Sequence, residues 1–222
     1  MILSTDAQAL KRALGSLRMF PLPNAVLLPH APLPLHVFEP RYQALVQDAL
    51  AGDRLLAIAL LEPGWEDHYD DRPPVRPIAG LGEIVAHDPL PDGRSNILLR
   101  GLGRVEILRE HPPRQLYRVV SARLRRDRRP RRDLADDHAC LLALCNRVAE
   151  HLPSEHAAML RQVATGETDP GVVADLLGAA LLGDSQAKQD LLECLDAGQR
   201  LQKLAVEVAA IATRLSARST PN

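Results

Sequence analysis

The residues able to do chemistry fall into four small groups. Glu39 and Arg41 flank Pro40, and a carboxylate beside a guanidinium is either an ion pair or half of a general acid–base site. No second acid and no histidine base is spaced with them, so they are read as an ion pair or cap at the start of a helix. His30 and His36 flank the same proline-rich turn. Zinc would need further cysteine, histidine or acidic ligands at regular spacing, and none accompany them. His138, Cys140 and Cys145 form the third group. On a helix His138 and Cys145 share one face while Cys140 points elsewhere, so packing is expected rather than metal binding. No base is placed to turn either thiol into a nucleophile. The fourth group is the run Arg123–Arg132, which holds seven arginines around Pro130. Arg125, Arg126, Arg128 and Arg129 would pair with phosphate in a bidentate fork. Asp127, Asp133, Asp136 and Asp137 lie close by and no aromatic residue is at hand to stack on a base, so a solvated linker is the preferred reading.

Aromatic residues make up 3% of the chain, which gives weight to any that are exposed. Phe38, Tyr42 and Trp65 are the candidates to line a groove for apolar peptide segments. Phe38 and Tyr42 are expected in a core. Trp65, in the acidic, proline-rich loop from Glu62 to Pro77, is the better surface contact. An edge strand could also take an extended peptide by strand addition.

These groups sit on a chain of 222 residues with a formal charge of −1, 46% hydrophobic and 25% charged. That length allows one or two domains of about 100–200 residues. Near-neutral charge argues against a dedicated nucleic-acid binder. Three cysteines without paired spacing predict reduced thiols in a cytoplasmic protein. The first residues carry Asp6, Lys11 and Arg12 and do not form a secretory signal, and the apolar run Leu55–Leu61 is far short of the roughly 20 residues a membrane span needs.

The elements that must position these groups change character midway. Phe20–Tyr42 is dense in prolines between short apolar bursts, which predicts strand, turn, strand, then a helix with Pro40 in its first turn. Ser4 would cap an earlier helix through Leu17. Leu55–Leu61 predicts a central strand. Gly80 and Gly82 bracket the start of the next, Pro91-Asp92-Gly93-Arg94 is a tight-turn sequence, and Gly101-Leu102-Gly103 is expected to bend the chain before another strand. Tyr117–Leu124 is the last strand candidate. Short strands so punctuated suggest a mainly antiparallel barrel or sandwich. After the arginine run only helical spacing remains, including the stripe Leu134, His138, Leu141, Cys145, Val148 and Leu152. Ser154 is expected to cap the next helix, Asp169-Pro170 to open another, and Asp184 or Ser185 to cap a single last helix on the order of 45 Å long. The expected organisation is a β-rich domain over residues 1–124, an arginine-rich linker over 125–133 and a helical bundle over 134–218.

Several of these blocks are recognisable in order. Phe20-Pro21-Leu22 and Leu35-His36-Val37-Phe38-Glu39-Pro40-Arg41-Tyr42 resemble the signature of the amino-terminal substrate-binding domain of Lon (La) ATP-dependent proteases. Gly82-Glu83-Ile84, the turn at Asp92-Gly93, and Leu99-Arg100-Gly101-Leu102-Gly103-Arg104-Val105 resemble its later strands, with valine where the family often has phenylalanine. Lys188–Glu193 and Arg200-Leu201 resemble its last helix. The resemblance covers Arg18 to Leu215. It implies an α+β fold: a PUA-like, six-stranded, partly closed pseudo-barrel with a short helix, then a helical bundle ending in a long helix. It also implies a module that captures unfolded or tagged proteins. These residues contain no Gly-x-x-x-x-Gly-Lys-Ser/Thr phosphate loop and nothing like the family's Ser–Lys protease segment, and Lys11, Lys188 and Lys203 are the only lysines. The signature residues, including Phe20, Pro21, Leu22, Phe38, Glu39, Pro40, Arg41, Tyr42, Asp92, Gly93, Gly101 and Arg104, are expected to build the fold.

The functional expectation is therefore a stand-alone, non-enzymatic, cytoplasmic binding module that uses apolar surface between barrel and bundle, without a cofactor and without membrane contact. It would recognise unfolded or specific protein segments and act as an adaptor to a separate ATP-dependent protease or chaperone, as a monomer or homodimer. A binder of RNA, DNA or polyphosphate through the arginine run and the barrel is the alternative, and a small hydrolase with an unrecognised site is a second.

Overall fold

The structure, a computed structural model, describes residues 7–68, 71–128, 130, 132–167 and 169–219. The expected cap at Ser4 lies outside the described residues. The chain divides into two compact units, residues 1–126 and 127–222.

In the first unit α1 (Ala7–Gly15) leads into β1 (Leu17–Leu22), then β2 (Pro32–Val37), α2 (Pro40–Leu50), β3 (Leu55–Leu60), β4 (Ile78–Pro89), β5 (Ser95–Glu110) and β6 (Arg118–Arg125). The strands form one sheet in the order β2-β5-β4-β3-β1-β6, and β5 also pairs with β6, which curls the sheet into a partly closed barrel. The ladders are antiparallel except β1–β3, which run parallel in register Phe20↔Ile58. Side chains alternate between faces, and the central strand β3 is buried on both. Leu56 and Ile58 pack with Phe20, Leu45, Tyr42 and Val46 under α2, while Ala57 and Ala59 pack with Met19, Leu81, Val105 and Val120 on the opposite side. Each buried Leu or Ile contributes on the order of 1.5–3 kcal/mol.

The glycines of β4 and β5 lie inside long strands, so Gly80 and Gly82 do not mark a strand start as their spacing predicts. Gly101-Leu102-Gly103 does bend β5: Leu81 pairs with Gly103 and Gly82 with Gly101, which leaves Leu102 as a bulge within its 16 residues. The segment between β1 and β2 buries Val26, Leu27 and Leu28 and crosses the sheet so closely that a Cβ on Gly80 would collide with the Leu27 carbonyl, and one on Gly101 with the Leu28 carbonyl. His30, at φ 65°, turns the crossing segment, and its N–H donates to the Gly101 carbonyl at 2.8 Å. The hairpin between β4 and β5 turns at Gly93, φ 84°, with Asp92 Oδ1 accepting from the Arg94 N–H at 3.1 Å.

The second unit comprises α3 (Ala135–Ala149), α4 (Ser154–Gly166), α5 (Pro170–Leu181), α6 (Ser185–Glu193) and α7 (Ala197–Ser219). Leu141, Cys145 and Val148 form the buried stripe of α3, and α7, which packs on it, buries Leu201, Leu204, Val208 and Ala212. Asp169 caps α5, accepting from the Gly171 and Val172 N–H groups at 2.8 and 3.3 Å. Pro153, not Ser154, stands at the N-cap of α4. The expected single last helix is two. Asp184 caps α6, the chain breaks at Cys194–Asp196, and the Asp196 carboxylate accepts from the Gln199 N–H at 3.0 Å to open a new helix. With 23 residues α7 is about 35 Å long. The break exposes the Cys194 carbonyl to the buried Arg200 guanidinium, which donates to it at 2.9 Å.

Candidate binding groove

The groove begins with the signature residues. Pro40 occupies the first turn of α2, where a missing N–H costs nothing. Glu39 makes no side-chain cap; its carboxylate holds the Arg41 guanidinium at 2.8 Å. Arg41 in turn lies 4.7 Å over the Tyr42 ring, which stacks on Phe20 with centroids 4.1 Å apart. The Tyr42 hydroxyl faces the Pro21 carbonyl at 3.4 Å. The cation–π contact contributes about 0.5–1 kcal/mol and the ion pair about 0–1, less than the burial of the tyrosine itself, so packing dominates the design.

Pro21, Arg41 and Tyr42 form one side of an open groove of about 270 Å³. Leu61 and Pro73 add apolar surface, and Pro113, Leu116 and Tyr117 come from the loop before β6. Leu116 stands on it 72% exposed. Tyr117 is fixed by donating to Asp48 Oδ2 at 2.6 Å; burial, then the Asp48 charge, pushes its hydroxyl up to about 12. Arg72 and Arg118 converge on Glu110, at 2.8 and 2.7 Å, and Arg118 also donates to the Pro73 carbonyl at 2.8 Å. Glu39 and Glu110 between them engage the three groove arginines, and Asp71 adds a further carboxylate to the lining. What the groove presents is apolar and aromatic surface framed by charges of both signs, able to accept an extended peptide segment.

The three aromatic candidates are not brought together. Tyr42 is 4% exposed and lines the groove from below. Phe38, expected in the core, is 59% exposed beside His36, with ring centroids 6.2 Å apart, because its backbone lies between the edge strand and α2 and nothing covers it. Trp65 is half-buried in the loop after β3 and does not line the groove. Strand addition at the free edge of β2 is opposed by its prolines. Ala31 and the odd-numbered residues after it face β5, since the Gly101 N–H donates to the Ala31 carbonyl at 2.9 Å, so Pro32 and Pro34 turn their nitrogens outward. Of those positions only His36 offers the outer edge an N–H.

The arginine run is divided rather than left as a free linker. Arg123 and Arg125 belong to β6 and pair with Glu106 at 2.6 and 3.1 Å; Arg123 first, then Arg125, hold that carboxyl below its usual range. Arg126 is exposed, and Arg128 is exposed while its N–H donates to the Leu195 carbonyl at 2.8 Å. Arg129 lies outside the described residues. Arg132 pairs with Asp137 at 2.5 Å, while Asp127 turns instead to Arg200. Arg104 is buried, and Leu22 packs against the core below α2. Cys140 is exposed, and Cys145 and Cys194 are buried and unpaired. Among the described residues no cluster of His, Cys, Asp and Glu is arranged to hold a metal, and no helix is long and apolar enough to cross a membrane. Sequence reasoning missed Glu106, Glu110 and Asp48, because pairing across strands, or between α2 and the loop before β6, leaves no local pattern.

Residues 16–209 match the family model described as the ATP-dependent protease La (LON) substrate-binding domain. The Lon protease of Heliobacterium modesticaldum is 27% identical over 90% of this chain and 24% of its own length. Lon protease 1 of Myxococcus xanthus is 29% identical over 89% of this chain and 24% of its own. The chain thus spans about a quarter of the length of these curated relatives. Among solved structures, the N-terminal domain of a Mycobacterium avium complex Lon protease superposes with a TM-score of 0.65 at 19% identity, covering 88% of this chain and 98% of that one. A Lon N-terminal domain protein from Xanthomonas campestris gives 0.58 at 24% identity, over 86% and 97%. These two likenesses concern the fold.

Proposed function

The chain belongs to the ATP-dependent protease La (LON) substrate-binding domain family, and from that premise we propose that it binds extended, apolar segments of unfolded proteins and presents them to an ATP-dependent protease or chaperone. The observation that carries this reading is the open groove built on the signature residues Pro21, Arg41 and Tyr42 and rimmed by exposed Leu116. Its arginines are already paired, so affinity would come from burying apolar side chains, at about 25 cal/mol per Å². Among the described residues its lining holds no serine, threonine, cysteine or histidine, which favours binding over nucleophilic catalysis. The unpaired cysteines support a reducing, cytoplasmic setting. The test is titration of the purified protein with an unfolded model protein and a peptide library. Saturable binding that competes with apolar peptides is expected. A complete lack of saturable binding to any of them overturns the proposal.

A further inference from the structure

Next to the groove, across the loop from His111 to Tyr117, lies a second recess of about 270 Å³. Gln115 lines both, so the two share this residue at their border. Their electrostatics differ. The groove arginines are engaged by Glu39 and Glu110, and Asp71 also lines it. The recess is lined by Arg109, His111 and Arg114 and, among the described residues, by no acidic residue. Arg109 and Arg114 are exposed, and among the described residues neither has an ion-pair partner. Glu110, their nearest acid in sequence, is engaged by Arg72 and Arg118, as expected where successive strand residues point to opposite faces. The His111 ring is anchored, its Nε2 2.8 Å from Ser121 Oγ, whose hydroxyl donates to the Gly15 carbonyl at 3.1 Å. Among the described residues the recess is therefore a cationic site without a built-in counter-charge, bordering the groove at Gln115.

We propose that this recess receives the free carboxylate at the C-terminus of a bound protein segment, while the side chains just before that end occupy the groove. The inference rests on the peptide-binding reading and adds to it a preference for chain ends. A carboxylate matches a guanidinium fork in charge and geometry. A chain end places that group directly on the backbone, where the Gln115 amide at the shared rim can meet it. The groove beside it supplies the apolar surface that a lone carboxylate lacks.

The test compares one apolar decapeptide as free acid and as C-terminal amide, by fluorescence anisotropy, against the full chain. The free acid is expected to bind about 10-fold tighter, the equivalent of about 1.4 kcal/mol. In the double variant Arg109→Gln, Arg114→Gln that difference is expected to vanish while amide binding stays unchanged. Both arginines are exposed and unpartnered, so the variant should melt with the parent, and circular dichroism checks this. If acid and amide bind equally and saturably, the chain-end inference falls and the peptide-binding reading stands. An amidated peptide with an internal glutamate that binds as tightly as the free acid also overturns it, in favour of acidic side chains. If no peptide binds, both readings fall.

Discussion

Arg200 and Asp175 are both buried, with Arg200 Nε 3.3 Å from Asp175 Oδ1. The same guanidinium donates to the carbonyls of Cys194 at 2.9 Å and Gly171 at 3.3 Å and to the Asp127 carboxylate. Burial alone would lower its pKa; the charges of Asp175 and Asp127 outweigh that and raise it, so it stays charged. One side chain thus ties the start of the second unit, α5 and the break before α7.

Replacing Arg200 by methionine would keep much of the volume but remove the guanidinium charge that faces the buried Asp175 carboxylate. The expected loss of stability is about 3–5 kcal/mol. Adding Asp175→Leu should return part of it, because an apolar pair avoids the desolvation penalty. Urea denaturation of both variants checks this, and a loss below about 1 kcal/mol for the single change would show that the cluster is not what holds these elements together.

Gly80 and Gly101 give a second prediction. A Cβ at either position meets backbone carbonyl, which cannot swing aside as a side-chain tip would. Gly80→Ala or Gly101→Ala should cost about 1–3 kcal/mol or more. Gly103 lies in the same strand as Gly101, but a Cβ there would stand at an ordinary 3.6 Å from Leu124 Cδ1, so Gly103→Ala should be close to neutral. Thermal melts of the three variants separate close approach from backbone flexibility. Equal losses at Gly101 and Gly103 would refute the crossing-segment explanation.

What the chain reveals by inspection follows from how local each cause is. Asp169-Pro170 announces its helix because cap and proline act within four residues, and the continuous apolar run of β3 announces a strand buried on both faces. The split between α6 and α7 was missed because apolar spacing continues through Cys194–Asp196; its local mark is the Asp196 cap on Gln199, and the Arg200 bond to the Cys194 carbonyl fixes the break. The glycines were visible but their cause was not, since Leu27 and Leu28 lie more than fifty residues away. Groove residues from the signature could be named in advance. Leu116, Arg72 and Arg118 could not, as they reach the groove from loops and from strand pairing with no pattern of their own.

Tyr117 should titrate late. Its pKa is raised from 10.0 to about 12, chiefly by burial and then by Asp48. The protonated hydroxyl is favoured in the folded state, so its contribution to stability is complete below about pH 10, the unfolded value. That contribution is lost as pH rises towards about 12. Tyrosinate absorbance against pH, compared with Tyr117→Phe, isolates the group. A difference spectrum centred near pH 10 would mean that the hydroxyl does not hold its bond to Asp48 in solution.

Leu116 and Phe38 distinguish the groove from the other exposed apolar surface of the first unit. Leu116 is 72% exposed on the groove, and Phe38 is 59% exposed beside His36. Both are surface residues, so Leu116→Asp and Phe38→Asp should each change stability by no more than about 0.5 kcal/mol. Their effects on binding should diverge. Leu116→Asp replaces an apolar contact with a desolvated charge and should weaken an apolar peptide about 10-fold, while Phe38→Asp should leave its affinity within about 2-fold. Anisotropy titrations with one peptide and three proteins measure this directly. If the larger loss followed Phe38→Asp, the segment would be held at the junction of β2 and α2, and the groove over Tyr42 would be a packing feature of the barrel alone.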